Sequence, residues 1–169
     1  MGSFYKERNY KPYWVNDRGA GSQARDLLEA IEESWTHGLN PKTYHAENIR
    51  GLINQRHKEN LADLDILLSD AYIRLAQDLT GIRLNPADMD TSGQFWRHPY
   101  DAGYLFSLLS SNNDMEGLIR SLSPQGQTYK RLREELKRLV KEDAEENITP
   151  VHLSKTLNPY ERDEKVPQL

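Results

Sequence analysis

The side chains able to do chemistry are scattered along this chain. Its histidines are His37, His45, His57, His98 and His152, and no two stand four apart as in the HExxH helix that holds zinc. His37 and His45 can converge across Asn40-Pro41, and Glu47 would then supply a third zinc ligand. The plainer alternative is that both are polar residues trimming a turn. The chain has no cysteine, which excludes thiolate catalysis, disulfides and cysteine metal sites. A serine nucleophile needs a base beside it, and GxSxG does not occur. No glycine-rich phosphate loop follows a strand. The residues therefore specify no catalytic, cofactor-binding or metal-binding set.

Carboxylates are too plentiful to be specific, at 26 Asp plus Glu, but Asp65 differs from the rest. At about 100° per residue it falls within the apolar arc of the helix that carries it, and Asp78 falls at the arc's other margin. A buried carboxylate is either an acid with a raised pKa or an acceptor for the N–H groups of a neighbouring helix. The second reading is the one the general satisfaction of buried polar groups favours. Lys130, Arg131, Arg133, Lys137, Arg138 and Lys141 gather on the last helix, but Glu134 and Glu135 interrupt them, as on a solvated face. Phe4, Tyr5, Tyr10, Tyr13 and Trp14 crowd one end. They either stack on a ligand or anchor that segment to the core.

The elements that position these groups are helical. Ala24, Leu27, Leu28, Ile31 and Trp35 make one stripe, with Ser22 as cap and Gly38 as a left-handed stop. Ile49, Leu52 and Ile53 mark a short helix reaching about Lys58. The most apolar helix runs from Leu61 to Leu79, with Leu61, Leu64, Leu68, Tyr72, Leu75 and Leu79 on one face and Ile66 and Ile73 off it. Residues 81–99 read as irregular. Asp101 caps a helix holding Leu105, Leu108 and Leu109; Asn112-Asn113-Asp114 breaks it; Leu118, Ile119 and Leu122 add a turn or two. Ser123-Pro124 opens a last helix with Tyr129, Leu132, Leu136 and Leu139, ending near Val140. Nothing alternates long enough to be a strand hairpin. Leu-Asn-Pro recurs at 39–41, 84–86 and 157–159, but the unequal spacing makes these helix-boundary turns and not repeats.

The expected fold is all-α: a single compact multi-helix domain over residues 4–141 with an extended C-terminal tail over 142–169. Met1-Gly2-Ser3 reads as an expression scar. The formal charge of -4 argues against a nucleic-acid partner. No run of 18 apolar residues exists, so no membrane-inserting helix is expected in this segment.

Four stretches, taken together, resemble the helical scaffold domain of large YcbB-type L,D-transpeptidases. They are Arg8-Asn9-Tyr10-Lys11-Pro12-Tyr13-Trp14; His37-Gly38-Leu39-Asn40-Pro41 with Tyr44-His45; Leu64 through Asp70, Tyr72 and Asp78 to Leu84-Asn85-Pro86; and Leu122-Ser123-Pro124 with Tyr129, Leu132 and Leu136. The stretch from Leu157 to Val166 looks like the lead-in to a small peptidoglycan-binding domain, with Tyr160 where glycine is usual. The resemblance implies a non-catalytic scaffold in a periplasmic, peptidoglycan-crosslinking enzyme whose cysteine nucleophile lies outside this sequence. Its implied partners are the catalytic and peptidoglycan-binding domains of one parent chain, and possible further ones are peptidoglycan or other cell-wall proteins. Two other readings stay open: a free-standing helical interaction module, and a glycan hydrolase working through carboxylates such as Asp65.

Overall fold

The periodicity of residues 61–79 puts six large apolar side chains on one face, and the computed structural model builds the fold around that face. It describes residues 2–81 and 100–145. Pro86 with the rest of residues 82–99, expected to be irregular, and residues 146–169, expected to be a tail, lie outside the described residues. The chain divides after Leu136 into two units, and the hydrophobic core belongs to the first. The last helix continues past that boundary.

The element order is α1 (Gly2–Glu7), β1 (Val15–Asn16), β2 (Gly19–Ala20), α2 (Ser22–Glu32), two 3-10 turns (Glu33–His37 and Pro41–Tyr44), α3 (Ala46–Leu52), α4 (Lys58–Thr80), α5 (Ala102–Ser111), α6 (Met115–Leu122) and α7 (Gln127–Glu145). The all-α expectation holds, since the sheet among the described residues is a two-stranded ribbon. α4 is the axis. It packs against α2, α3, α5 and α6, and Leu61, Leu64, Leu68, Tyr72, Leu75 and Leu79 are all buried. Ile66, off that face, is 56% exposed. From the surrounding elements Leu27, Ile31, Ile49, Leu105, Leu109, Met115 and Leu122 close over the same core. Among the described residues no helix is long and apolar enough to cross a membrane.

Several boundaries differ from expectation, each for a local reason. Ser22 is the first helical residue of α2; the cap is Gly21, which contributes no side-chain hydrogen bond. The α-helix stops at Glu32 and tightens into a 3-10 turn that Gly38 closes at φ 73°, so Trp35 leaves the stripe and is 37% exposed. α3 ends at Leu52, ahead of the polar run Asn54–His57, and Lys58 begins α4. Ser123 closes α6 as its C-cap, and α7 starts only at Gln127 and runs past Val140 to Glu145. Asp101 and Asp114 do cap α5 and α6, accepting from Tyr104 N and Gly117 N.

The absence of a hairpin is also corrected. Val15 pairs with Ala20 and Asn16 with Gly19, antiparallel. Strands of two residues leave no alternation to read. The turn is held by Arg18 N donating to Asn16 Oδ1 at 2.8 Å, and Gly19 takes φ 116°, where a side chain is strained.

Candidate functional site

The N-terminal segment is bound to α4 by one buried carboxylate. Asp65 aims its Oδ1 at the backbone N–H groups of Tyr13 and Trp14, which donate at 2.9 and 2.7 Å. Its Oδ2 accepts from the Tyr5 hydroxyl at 2.5 Å. Four residues further along α4, one helical turn, Ser69 Oγ meets the Tyr5 hydroxyl at 2.7 Å and accepts from Trp14 Nε1 at 2.8 Å. Burial first, and the bond to the Asp65 carboxylate second, push the Tyr5 phenol well above its ordinary range. Asp65 is thus an acceptor, as expected, but its two N–H donors come from an irregular loop and not from a helix, and its third donor is the Tyr5 hydroxyl of α1. The rings complete the attachment. Phe4 stacks on Phe106 of α5 at 4.1 Å between centroids, and Trp14 packs against Tyr13 and Tyr72. The crowded aromatics anchor the segment, except for Tyr10, which is exposed.

A second set of polar pairs ties the two 3-10 turns to α4 and α7. The Tyr44 hydroxyl donates to Asp78 Oδ2 at 2.6 Å. His45, left-handed at φ 59°, sets its Nε2 2.8 Å from Asp70 Oδ2, and Arg74 Nε donates to the same oxygen at 2.6 Å. Partial burial raises the Asp70 carboxyl, but the hydrogen bonds and charges of His45 and Arg74 outweigh it and hold the group below its usual range. His37 Nδ1 lies 2.5 Å from the Tyr129 hydroxyl, and Arg133 Nε donates to Thr36 Oγ1 at 2.9 Å.

The lowered Asp70 pKa carries a sign. The folded state favours the carboxylate, so this stabilisation is present above the ordinary carboxylate pKa and is lost as pH falls through the lower folded value. The stability gap between the unaltered chain and Asp70→Asn, measured by urea titration, is expected to shrink from pH 5 to pH 3. A gap that stays constant over that range would show that the pair does no such work.

A family model described as "Scaffold domain" matches residues 1–136. The chain belongs to the Scaffold domain family. Neither a curated protein nor a solved structure matches it.

Within this scaffold domain the residues singled out in the sequence fall into three groups. Trp14, Tyr44, His45, Asp70, Tyr72, Asp78, His37 and Tyr129 all enter the pairs above or the core beside them; the Tyr72 hydroxyl donates to Leu105 O at 2.8 Å. Gly38 and Pro41 shape turns, with Pro41 opening its 3-10 turn behind Asn40, whose side chain accepts from Lys42 N, while Leu39 and Pro124 lie in connections between elements. Asn9, Tyr10 and Pro12 lie on the exposed loop after α1. His37 and His45 do not converge on a metal site: they bond Tyr129 and Asp70, Glu47 pairs with Lys42 at 3.2 Å, and no suitable ligand group occurs among the described residues. Lys130 and Arg131 are exposed, whereas Arg133 meets Thr36 and Arg138 pairs with Glu142. The apolar stripe of α7 is less covered than its spacing implies, since Leu132 is 65% exposed. Sequence reasoning missed Arg74 and Thr36, and named Ser69 only within the third stretch. The partners of Ser69 and Thr36 lie outside their own elements, so no local pattern marks them, whereas Arg74 meets Asp70 at the i,i+4 spacing of α4.

The scaffold domain also carries a groove of about 670 Å³ along α2 and α6, walled by Asp26, Glu29, Glu33 and Glu116 and reached by Arg120 and Arg133. A shallower one of about 590 Å³ between α3 and α4 is lined by Leu52, Asp63, Ile66 and Leu67. Asp65 lines neither, and all its bonds are to the N-terminal segment.

Proposed function

We propose that this scaffold domain serves a periplasmic L,D-transpeptidase, holding the catalytic and peptidoglycan-binding domains of the same parent chain in place for peptidoglycan crosslinking. The support is the way the four resembling stretches engage one another. Trp14 of the first stretch reaches Asp65 of the third across 51 residues. His45 and Tyr44 of the second reach Asp70 and Asp78 of the third across 25 and 34. His37 of the second reaches Tyr129 of the fourth across 92. Motif residues that bond mainly to each other form a brace, and a brace is what a neighbouring catalytic module needs from a scaffold. Peptidoglycan itself and other cell-wall proteins are further proposed partners.

A thiolate nucleophile has no source in a chain without cysteine. Incubated with tetrapeptide donor and acceptor, this chain alone is expected to yield no crosslinked product, while the parent protein yields it. Product above the no-protein control from this chain, or an open reading frame with no cysteine-bearing catalytic module, would overturn the proposal.

A further inference from the structure

α7 carries two stripes that the brace does not use. The first is apolar. Leu132 is 65% exposed and Leu139 50%, and at about 100° per residue the two fall within about 20° of one another, two turns apart. Leu136, half-buried, lies between them along the helix. Leucines two turns apart on one line are what a helix presents to a second helix, and among the described residues these two stay uncovered.

The second stripe is charged and runs alongside. Arg131, Glu135, Arg138 and Glu142 stand at i, i+4, i+7 and i+11, and all four are exposed. They share a line about 80° from the leucines, where the flank of a helix pair lies. Their signs run plus, minus, plus, minus, and in reverse order they run minus, plus, minus, plus. A second α7 laid antiparallel therefore sets Arg131 against Glu142 of the second copy and Glu135 against its Arg138, and twofold symmetry repeats both pairs. The same register brings Leu132 to Leu139 of the second copy. In a parallel copy the two charged stripes would lie on opposite sides of the seam and never meet. Arg138 already pairs with Glu142 on its own helix, and Glu135 has a polar interaction of its own. Exposed pairs of this kind add little stability and exchange partners readily, but their pattern fixes partner and orientation.

We infer that α7 is a self-association surface, on which two copies of this chain pair antiparallel through Leu132 and Leu139 with the charged stripes setting the register. A twofold contact requires a patch complementary to itself, and this patch is so in both its apolar and its charged parts. A seam of two leucines per copy is small against the roughly 1,200 Å² that stable complexes bury, so the dimer is weak, with a Kd of about 0.1 mM. This inference holds whichever parent protein carries the domain.

The test is sedimentation equilibrium of the full chain at low salt, from about 10 µM to about 1 mM, a range that brackets that Kd. The weight-average mass is expected to climb toward twice that of one chain. Two charge variants discriminate further. Arg131→Glu with Arg138→Glu makes the stripe all acidic, and Glu135→Arg with Glu142→Arg makes it all basic. Each alone should stay monomeric, whereas an equimolar mixture should associate at least about threefold more tightly than the unaltered chain, because every pair across the seam is then opposite in sign. Mixing would not rescue variants that had merely lost their structure. Leu132→Ser, at an exposed position, should keep its melting temperature and lose the association, and it decides if a charge variant does not fold. A chain monomeric up to about 1 mM, a mixture of folded charge variants that stays monomeric, or undiminished association by Leu132→Ser would each overturn the inference.

Discussion

Replacing Asp65 with alanine is expected to destabilise the scaffold domain by about 3–5 kcal/mol in urea titration. The carboxylate is 4% exposed and accepts three hydrogen bonds. Alanine removes the acceptor and leaves the donors where they are. Among the described residues the buried Trp14 N–H has no other partner, and neither has that of Tyr13, while the Tyr5 hydroxyl keeps only Ser69 and a long contact to the Asp65 carbonyl. Each orphaned donor costs about 1–3 kcal/mol, more when the lost acceptor is charged. Asp65→Asn should cost much less, because its remaining oxygen can face the two backbone donors. A loss below about 1 kcal/mol for Asp65→Ala would show that the N-terminal segment is held by its rings alone. The same pair of variants addresses the hydrolase reading: a glycan-cleaving activity in the unaltered chain that vanishes in Asp65→Asn would make the carboxylate catalytic after all.

Asp65 also shows how far the sequence could be read. A charge inside the apolar arc of α4 was visible from spacing alone, and so was its role as an acceptor. Its partners were not visible, because they are backbone N–H groups more than fifty residues away in a segment with no regular period. The faces of α4 and α6 followed from 3.6-residue periodicity because both faces pack on the core. α7 has equally good spacing, yet Leu132 and Leu139 are exposed. Periodicity reports that a helix has an apolar face, not what covers it. The β1–β2 ribbon has strands too short to carry any pattern, and Gly19 was its only local mark. The pairs His45–Asp70, Tyr44–Asp78 and His37–Tyr129 join residues whose types are common and whose spacing is arbitrary. Tyr44 and Asp70 entered the sequence reading only through the resemblance of the stretches that contain them, His37, His45, Asp78 and Tyr129 entered it on other grounds, and the pairing needed the fold.

Trp14→Ala should cost about 3–5 kcal/mol, as for other fully buried aromatic side chains. Trp14 is 2% exposed, packed on Tyr13 and Tyr72, and fixed by Nε1 to Ser69 Oγ. The size of the effect matters less than its coupling to Asp65. Trp14 contributes to the attachment twice, by its side chain to Ser69 and by its backbone N–H to Asp65, and these two acceptors are one helical turn apart on α4. Once the indole is gone, the loop has less reason to hold its backbone against the carboxylate, so part of what Asp65→Ala would remove is already lost. The double variant should therefore be less destabilised than the sum of the single ones, by about 0.5–3 kcal/mol. Additivity within about 0.5 kcal/mol would mean that ring packing and carboxylate bonding act independently, and residues 4–14 would then be two separate contacts with α4 and not one cooperative clamp.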